Sequence, residues 1–307
     1  MNRQIQVDVV RCVSVALVVT VVLALGLGAT VCRADEPKLL AVYFGIFDDG
    51  YVQSMAVQDQ IPWDKVNRVQ IVFATVEGGI LQDITVEDST AEAQDRIRNI
   101  ISLVRDANPA AEIFIVSNYG ETVTNEYVNA AQDPQRFADS VLAYLQDYGL
   151  DGFDMDWEDT AIDDYASELE TLLSTTYATL KAAGSSPSGG EYKLTHTIWP
   201  GVHSPETVAA VVDDVDGLNL MTYGDDLDTY AADYADAGVP YALMIAGVEA
   251  ETGDLQDSPD SIAAKAQYVV DNDLAGIFVW RLDNDTRPDG EPPTFEVTDD
   301  VYAALNP

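Results

Sequence analysis

The sequence predicts an α/β protein in which eight parallel strands alternate with helices and close into a single-domain (β/α)8 TIM barrel. Short apolar runs rich in β-branched residues recur along the chain, and helix-like stretches separate most of them. About 270 residues follow an apolar N-terminal segment, which is a usual length for this barrel. An open, doubly wound sheet is disfavoured because no glycine-rich phosphate-binding turn follows the first apolar run.

The predicted elements follow from turn residues and from apolar periodicity. The predicted strands are Leu39–Gly45, Arg68–Thr75, Glu112–Ser117, Gly152–Asp156, Lys193–Ile198, Gly217–Thr222, Ala242–Gly247 and Gly276–Trp280. The clearest predicted helices are Ala91–Asp106, Pro134–Tyr148, Asp163–Ala183, Pro205–Val212 and Ser258–Asn272. Right-handed β-α-β connections make such strands parallel. Two segments are predicted to be exposed loops: Gly184–Gly190, flexible and opposite the usual active site, and Asp283–Thr294.

The first 34 residues have the pattern of a secretory signal peptide. Arg3 and Arg11 precede an apolar run from Cys12 to Cys32, and a small-residue cleavage pattern ends at Ala34. The run is about 20 residues long, so an uncleaved membrane anchor remains an alternative. Both cysteines of the chain lie in this run, so the core of residues 35–307 must form without disulfides. We expect residues 35–307 to be a secreted or extracytoplasmic domain.

The charge of the chain narrows the choice of partner. There are 53 acidic and 15 basic residues, which give a formal net charge of −38 at pH 7. A field of this sign repels nucleic acid, anionic membranes and polyanionic substrates, so a neutral or cationic substrate is favoured. The two histidines, His196 and His203, lack the spacing of metal ligands, and we expect no metal and no cofactor. We also expect a monomer.

The most informative segment runs from residue 151 to residue 158 and reads DGFDMDWE. Side chains of a strand alternate between its faces, so Asp154, Asp156 and Glu158 share one face and apolar residues the other. Three acids on a buried face cost desolvation and mutual repulsion, which indicates that they serve chemistry. Active sites of such barrels form at the carboxyl ends of the strands, where Glu158 would emerge as an acid of raised pKa. A calcium loop is disfavoured because its glycine and distal glutamate are missing.

This segment resembles the Asp-Gly-x-Asp-x-Asp-x-Glu signature of glycoside hydrolase family 18, the chitinases and endo-β-N-acetylglucosaminidases. Three further segments resemble landmarks of that family in the right order. Residues 117–120 are similar to its Ser-x-Gly-Gly motif, with Tyr119 in place of one glycine. Residues 218–223 resemble the motif that carries the catalytic tyrosine, here Tyr223, and residues 276–280 end in a tryptophan, Trp280. The resemblance therefore spans nearly the whole of residues 35–307.

The resemblance implies a role for each matching residue. Glu158 would protonate the glycosidic oxygen and then activate water. Asp156 would accept a hydrogen bond from the N-acetyl group of the substrate, and Asp154 would share a proton with Asp156. Tyr223 would donate its hydroxyl to the same acetamide. Because the acetamide oxygen replaces a carboxylate nucleophile, the anomeric configuration would be retained.

The resemblance also implies a glycan partner that contains N-acetylglucosamine. Trp280 would lie under one sugar, and the further substrate contacts predicted are Met221, Tyr119, Trp199 and Asp225. For Trp199, packing in the wall of the barrel and a sugar platform are equal alternatives. The connection from Val248 to Ala275 is too short for the α+β insertion of many chitinases, which predicts a shallow groove. Chitin is the favoured substrate; the N-glycan chitobiose core and a lectin without hydrolytic activity remain alternatives.

Overall fold

The structure is a computed structural model and describes residues 37–117, 123–224, 226–288 and 290–307. Its strands are β1 (Leu39–Gly45), β2 (Arg68–Glu77), β3 (Ile80–Asp83), β4 (Glu112–Ser117), β5 (Gly152–Met155), β6 (Lys193–Ile198), β7 (Gly217–Leu220), β8 (Met244–Glu249) and β9 (Gly276–Trp280). All except β3 are parallel, in the order β1-β9-β8-β7-β6-β5-β4-β2, and pairing of β2 with β1 closes the barrel. The predicted (β/α)8 barrel is therefore confirmed. Strand β3 is an antiparallel addition to β2.

Helices surround the barrel and mostly follow the strands. They are α1 (Asp49–Met55), α2 (Thr90–Ala107), α3 (Thr124–Ala131), α4 (Pro134–Tyr148), α5 (Ala166–Ala182), α6 (Pro205–Ala209), α7 (Leu227–Asp236), α8 (Pro259–Asp271) and α9 (Glu296–Leu305). The five predicted helices are α2, α4, α5, α6 and α8, and α8 is the one α-helix between β8 and β9. No helix of the described residues is long and apolar enough to cross a membrane. The predicted signal peptide lies outside those residues.

The strands are buried on both faces, and β1 shows how the alternation of side chains achieves this. Leu40, Val42 and Phe44 belong to the large apolar cluster that the surrounding helices share. Ala41 and Tyr43 point the other way and join a smaller cluster built from several strands inside the barrel. The inner face therefore brings side chains from different strands together, and this is how the site described below is assembled.

The segment Asp283–Thr294 was predicted to be an exposed loop, and for its first residues this is wrong. Asp283 and Asp285 are fully buried. Asp283 accepts a hydrogen bond from the Gly45 amide (2.7 Å) and pairs with the Arg281 guanidinium (2.7 Å). Asp285 binds the first turn of α9. Buried carboxylates are tolerated when charge or amide donors satisfy them, and tertiary contacts supply those donors here.

Replacing Asp285 with alanine should lower the free energy of unfolding by about 2–4 kcal/mol, because buried donors lose their acceptor. The carboxylate accepts from the Val297 amide (3.1 Å), the Thr298 amide (2.8 Å) and the Thr298 hydroxyl (2.6 Å). Urea unfolding followed by tryptophan fluorescence would measure the change. Asp254→Ala, at an exposed position, is the control and should stay within about 0.5 kcal/mol of wild type. Equal midpoints for the two variants would contradict the capping role.

The predicted loop Gly184–Gly190 lies at the amino ends of the strands, opposite the site described below. It is an ordered turn: the Ser186 amide donates to the Gly190 carbonyl (2.8 Å), and the Ser188 amide donates to Asp151 (2.7 Å). The same Asp151 accepts from the main chain of β4 (2.8 Å) and pairs with an arginine of α2 (2.5 Å). Asp151 therefore ties the start of β5 to its neighbours.

Candidate active site

A pocket of about 180 Å³ opens at the carboxyl ends of the strands. Its lining residues come from five different strands or the segments that directly follow them. They are Tyr43, Asp156, Glu158, Thr197, Met221, Tyr223 and Trp280. The structure thus brings together five of the residues that the sequence singled out. The two that are farthest apart in the chain, Asp156 and Trp280, are separated by 124 positions.

Asp154 lies directly beneath the pocket and is fully buried. One carboxylate oxygen accepts from the Thr195 hydroxyl (2.6 Å) and the Asn219 amide (2.9 Å). The other accepts from the hydroxyls of Thr197 (2.8 Å) and Tyr43 (3.1 Å). Burial raises the pKa of Asp154, while the hydroxyl donors counteract part of the rise. Four donors on two oxygens hold this carboxyl in one orientation.

Asp156 and Glu158 are hydrogen-bonded to each other through their side chains. Burial raises the pKa of both groups, and the charges of Glu158 and Asp154 raise the pKa of Asp156 further. The pair therefore keeps one proton up to a higher pH than an ordinary carboxyl would. Asp154 is held by hydroxyl and amide donors, and the carboxyl of Asp156 lies between Asp154 and Glu158 and responds to the charge of both.

One oxygen of Asp156, Oδ1, is buried and has no hydrogen-bond partner among the described residues. A buried carboxylate oxygen without a donor is costly, because it has lost its hydration. Since Asp156 lines the pocket, this oxygen is available to an N–H group of a molecule bound there. The arrangement can thus accept one hydrogen bond from a ligand while the other side of the carboxyl meets Glu158.

The predicted strand extended to Asp156, but β5 ends at Met155. Beyond that point the Asp156 amide donates to the Ser117 hydroxyl (3.2 Å), which Tyr127 also contacts (2.7 Å). Trp157 points away from the acids and stacks on Tyr127 with ring centroids 4.7 Å apart. The alternation of acids and apolar residues therefore continues past the last ladder bond, and it carries Glu158 to the rim.

Tyr223 and Trp280 form the apolar side of the pocket. Burial raises the pKa of Tyr223, and the nearby charges of Glu249 and Asp156 raise it further, so the hydroxyl remains a proton donor. The Trp280 ring lies 5.3 Å from that of Tyr43 and 6.2 Å from that of Phe73. These neighbours hold the indole as a broad flat surface at the pocket, which suits the apolar face of a sugar ring.

The remaining sequence predictions have different outcomes. Trp199 is 38% exposed and does not line the pocket, so the structure does not bring it to the acids. Tyr119 and Asp225 lie outside the described residues. His196 and His203 are buried core residues 5.4 Å apart between ring centroids, and burial lowers the pKa of His196 to about 3 and that of His203 to about 4.

Two lining residues, Tyr43 and Thr197, were not predicted. Both are polar residues within otherwise buried strands, and both donate to Asp154. The signal was present in the sequence, since Thr195 and Thr197 occupy alternate positions of β6, as Asp154 and Asp156 do in the acidic motif. Within residues 37–117, 123–224, 226–288 and 290–307, no cluster of three histidines, cysteines or acids could hold a metal ion.

Comparison with known proteins gives a partial match among curated sequences. An endochitinase of Brugia malayi is 28% identical over 102 residues, which is 32% of this chain. The match spans only 20% of the length of the endochitinase.

Solved structures of similar fold extend over most of the chain. A class V chitinase from Nicotiana tobaccum in complex with NAG4 has a TM-score of 0.72 and 16% identity, and the match covers 88% of this chain and 99% of that one. A GH18 chitinase from Cycas revoluta in complex with (GlcNAc)3 has a TM-score of 0.68, 15% identity and coverages of 87% and 98%. A chitinase-like agglutinin from Robinia pseudoacacia has a TM-score of 0.67, 16% identity and coverages of 86% and 99%. At these identities the likeness establishes the fold.

Family membership comes from a match to a sequence model of the glycosyl hydrolases family 18. The match extends from Asp49 to Met244, and so from the first residue of α1 to the first residue of β8. It includes the whole Asp151–Glu158 motif and Tyr223. Since this stretch is more than half of a chain that also has the barrel of the family's chitinases, the protein belongs to glycosyl hydrolase family 18.

Proposed function

We propose that this protein hydrolyses the β-1,4 linkages of chitin or chito-oligosaccharides, with retention of the anomeric configuration. The observation that carries the proposal is the ordered series of acids, with Asp154 buried, Asp156 above it and Glu158 at the rim of a pocket that Tyr223 and Trp280 also line. We further propose that it acts outside the cytoplasm, because its first 34 residues have the pattern of a signal peptide.

The first chemical step uses the raised pKa of Glu158. A carboxyl whose pKa is raised by burial keeps its proton to a higher pH than an exposed one, and it can donate that proton to the glycosidic oxygen as the bond to the anomeric carbon breaks. The acetamide oxygen of the substrate attacks that carbon from the opposite side, which gives a cyclic oxazolinium. Asp156 Oδ1 accepts the acetamide N–H and offsets the positive charge, and the Tyr223 hydroxyl holds the acetamide in place.

The second step reverses the role of Glu158. Having lost its proton, the carboxylate takes one from a water molecule, and the resulting hydroxide attacks the anomeric carbon. The bond to the acetamide oxygen breaks, and the acetamide is restored. Two displacements at one carbon retain the original configuration. Asp154 contributes throughout as a buried group whose four donors keep its position beneath Asp156 constant.

The mechanism predicts that hydrolysis requires the N-acetyl group. We expect the hexamer of N-acetylglucosamine to be cleaved, and the fully deacetylated hexamer to be cleaved at least about 100-fold more slowly, because the internal nucleophile is gone. Mass spectrometry of the products, with a high-mannose glycopeptide as a third substrate, would measure both rates. Equal cleavage of acetylated and deacetylated hexamers would contradict the mechanism. Cleavage of the glycopeptide alone would assign the protein to the N-glycan chitobiose core instead.

A second candidate is a lectin that binds N-acetylglucosamine polymers without cleaving them. The likeness to the Robinia pseudoacacia agglutinin, which has the same fold, favours it. Against it stands the presence of every acid that the reaction needs, at Asp154, Asp156 and Glu158. The same assay separates the two candidates, because a lectin would bind to a chitin column and release no products from the hexamer.

A further inference from the structure

A buried ion pair lies behind the pocket, between α8 and the ends of β7 and β8. The Lys265 ammonium is 2.7 Å and 2.9 Å from the two carboxylate oxygens of Asp257. The side chains are 4% and 0% exposed. A buried pair loses the hydration of both charges, and the further hydrogen bonds that its members make offset part of that cost.

The pair holds the main chain on both sides of Tyr223. Lys265 donates to the carbonyl oxygens of Thr222 (2.6 Å) and Gly247 (2.9 Å). Asp257 accepts from the amide of Gly224 in a long contact of 3.5 Å. The carbonyl before Tyr223 and the amide after it are therefore bound to one ion pair.

The neighbouring strand β8 is attached to the same pair. Asp257 accepts from the Glu249 amide (2.8 Å), at the last residue of β8. Ser261, one turn before Lys265 on α8, donates to Asp257 (2.6 Å) and to the Gly224 carbonyl (3.2 Å). Helix α8 thus fixes the ends of β7 and β8 relative to each other at the depth of the pocket.

This attachment matters because β7 ends at Leu220, before the tyrosine is reached. The segment that follows leaves the sheet, and at Gly224 the main chain has a φ of +80°. A residue beyond the ladder needs other hydrogen bonds to hold its direction. Lys265 of α8 and Asp257, which precedes that helix, supply them, so the position of the Tyr223 hydroxyl depends on these two side chains.

We propose that Lys265, together with Asp257, is a positioning residue for Tyr223. The inference rests on the proposed function, in which the Tyr223 hydroxyl holds the acetamide for attack. Neither Lys265 nor Asp257 lines the pocket, and both act through the main chain of residues 222–224. Misplacement of a positioned group by about 1 Å can cost on the order of 100-fold in rate.

The test is a double-mutant cycle with the tyrosine. Lys265→Met is combined with Asp257→Asn, so that no uncompensated buried charge remains. We expect kcat on the N-acetylglucosamine hexamer to fall about 10- to 100-fold, with KM changed less than about threefold. In a Tyr223→Phe background the same pair of substitutions should lower kcat less than about twofold, because the hydroxyl it positions is absent.

A second ion pair provides a matched control at the other end of the barrel. Lys181 lies 2.8 Å from Asp216 and donates to the Tyr192 carbonyl (2.9 Å), near the amino ends of the strands. Lys181→Met with Asp216→Asn should lower the melting temperature and leave kcat unchanged. If the buried double variant does not fold, Ser261→Ala removes one link to Asp257 and one to Gly224. It should lower kcat about two- to fivefold, and only when Tyr223 is present.

The outcomes distinguish this inference from the proposed function. Equal fractional losses of kcat in the wild-type and Tyr223→Phe backgrounds, with an active wild type, would overturn the positioning role alone. A wild-type protein that binds the hexamer without cleaving it would overturn the proposed function and this inference together. A loss of kcat confined to the background that contains Tyr223 would support both.

Discussion

Replacing Glu158 with glutamine should abolish turnover of N-acetylglucosamine oligomers and leave their binding intact. Glutamine has nearly the same shape but cannot give a proton to the glycosidic oxygen or take one from water. General acid–base catalysis contributes roughly 10²- to 10⁴-fold, and the same residue serves in both steps, so kcat should fall by at least that amount. Quenching of tryptophan fluorescence on addition of the hexamer would measure binding, since Trp280 lines the pocket.

The matched control is Glu206→Gln. Glu206 is an exposed glutamate on α6, which follows β6, and its substitution removes one negative charge without touching the pocket. Its kcat and KM should equal those of wild type, so an effect of net charge is measured separately. A Glu158→Gln protein that kept more than a tenth of wild-type kcat would refute the acid assignment.

Much of the fold and the centre of the site could be predicted because both rest on local sequence patterns. Apolar runs rich in β-branched residues marked the buried strands, and the alternation of side chains put Asp154, Asp156 and Glu158 on one face. Parallel strands bring their carboxyl ends to one edge of the barrel, so Tyr223 and Trp280 were expected there although they are distant in sequence. The pocket that these residues line agrees with that reasoning.

Two of the helices that were not predicted have an apolar periodicity that their polar composition conceals. Helix α7 is rich in aspartate and alanine, yet its buried residues Leu227, Ala231 and Tyr234 have helical spacing. Helix α9 buries Val297, Val301 and Leu305 at intervals of four residues. The periodicity was readable in both cases, because the apolar positions and not the overall polarity decide which face packs on the barrel.

Other features depended on tertiary contacts that no local pattern contains. Asp283 was assigned to an exposed loop, and only its contacts with Arg281 and Gly45 explain its burial. The donors on Asp154 are a similar case, because they come from three other strands.

A buried glutamate beside the site makes stability depend on pH. Glu249 is the last residue of β8 and is 7% exposed. Burial raises its pKa to about 8; the Glu251 amide, which donates to it (2.9 Å), counteracts part of the rise, and the charges of Glu251 and Asp257 add to it. At neutral pH the folded protein therefore keeps this carboxyl protonated, whereas the unfolded chain ionises it near 4.5.

The direction of the pH effect follows from proton binding in the two states. Between about pH 4.5 and pH 8 the folded state holds a proton that the unfolded state has released, so the free energy of unfolding falls as pH rises. The stability that Glu249 contributes is complete below about pH 4.5 and lost above about pH 8. Each pH unit corresponds to about 1.4 kcal/mol, so the total is on the order of 3–5 kcal/mol.

Replacing Glu249 with glutamine should remove this dependence, since the amide is neutral at every pH and its oxygen can still accept from the Glu251 amide. We expect the variant to match wild type near pH 4 and to be more stable by a few kcal/mol at pH 9, as measured by urea unfolding at both values. Asp283, whose pKa burial raises to about 7, lowers the stability of both proteins over the same pH range. The difference between the two proteins therefore isolates Glu249. Glu291→Gln, at an exposed position, should show the wild-type slope. If Glu249→Gln showed that slope as well, Glu249 would have to be ionised in the folded protein at neutral pH, with its charge balanced by Arg281.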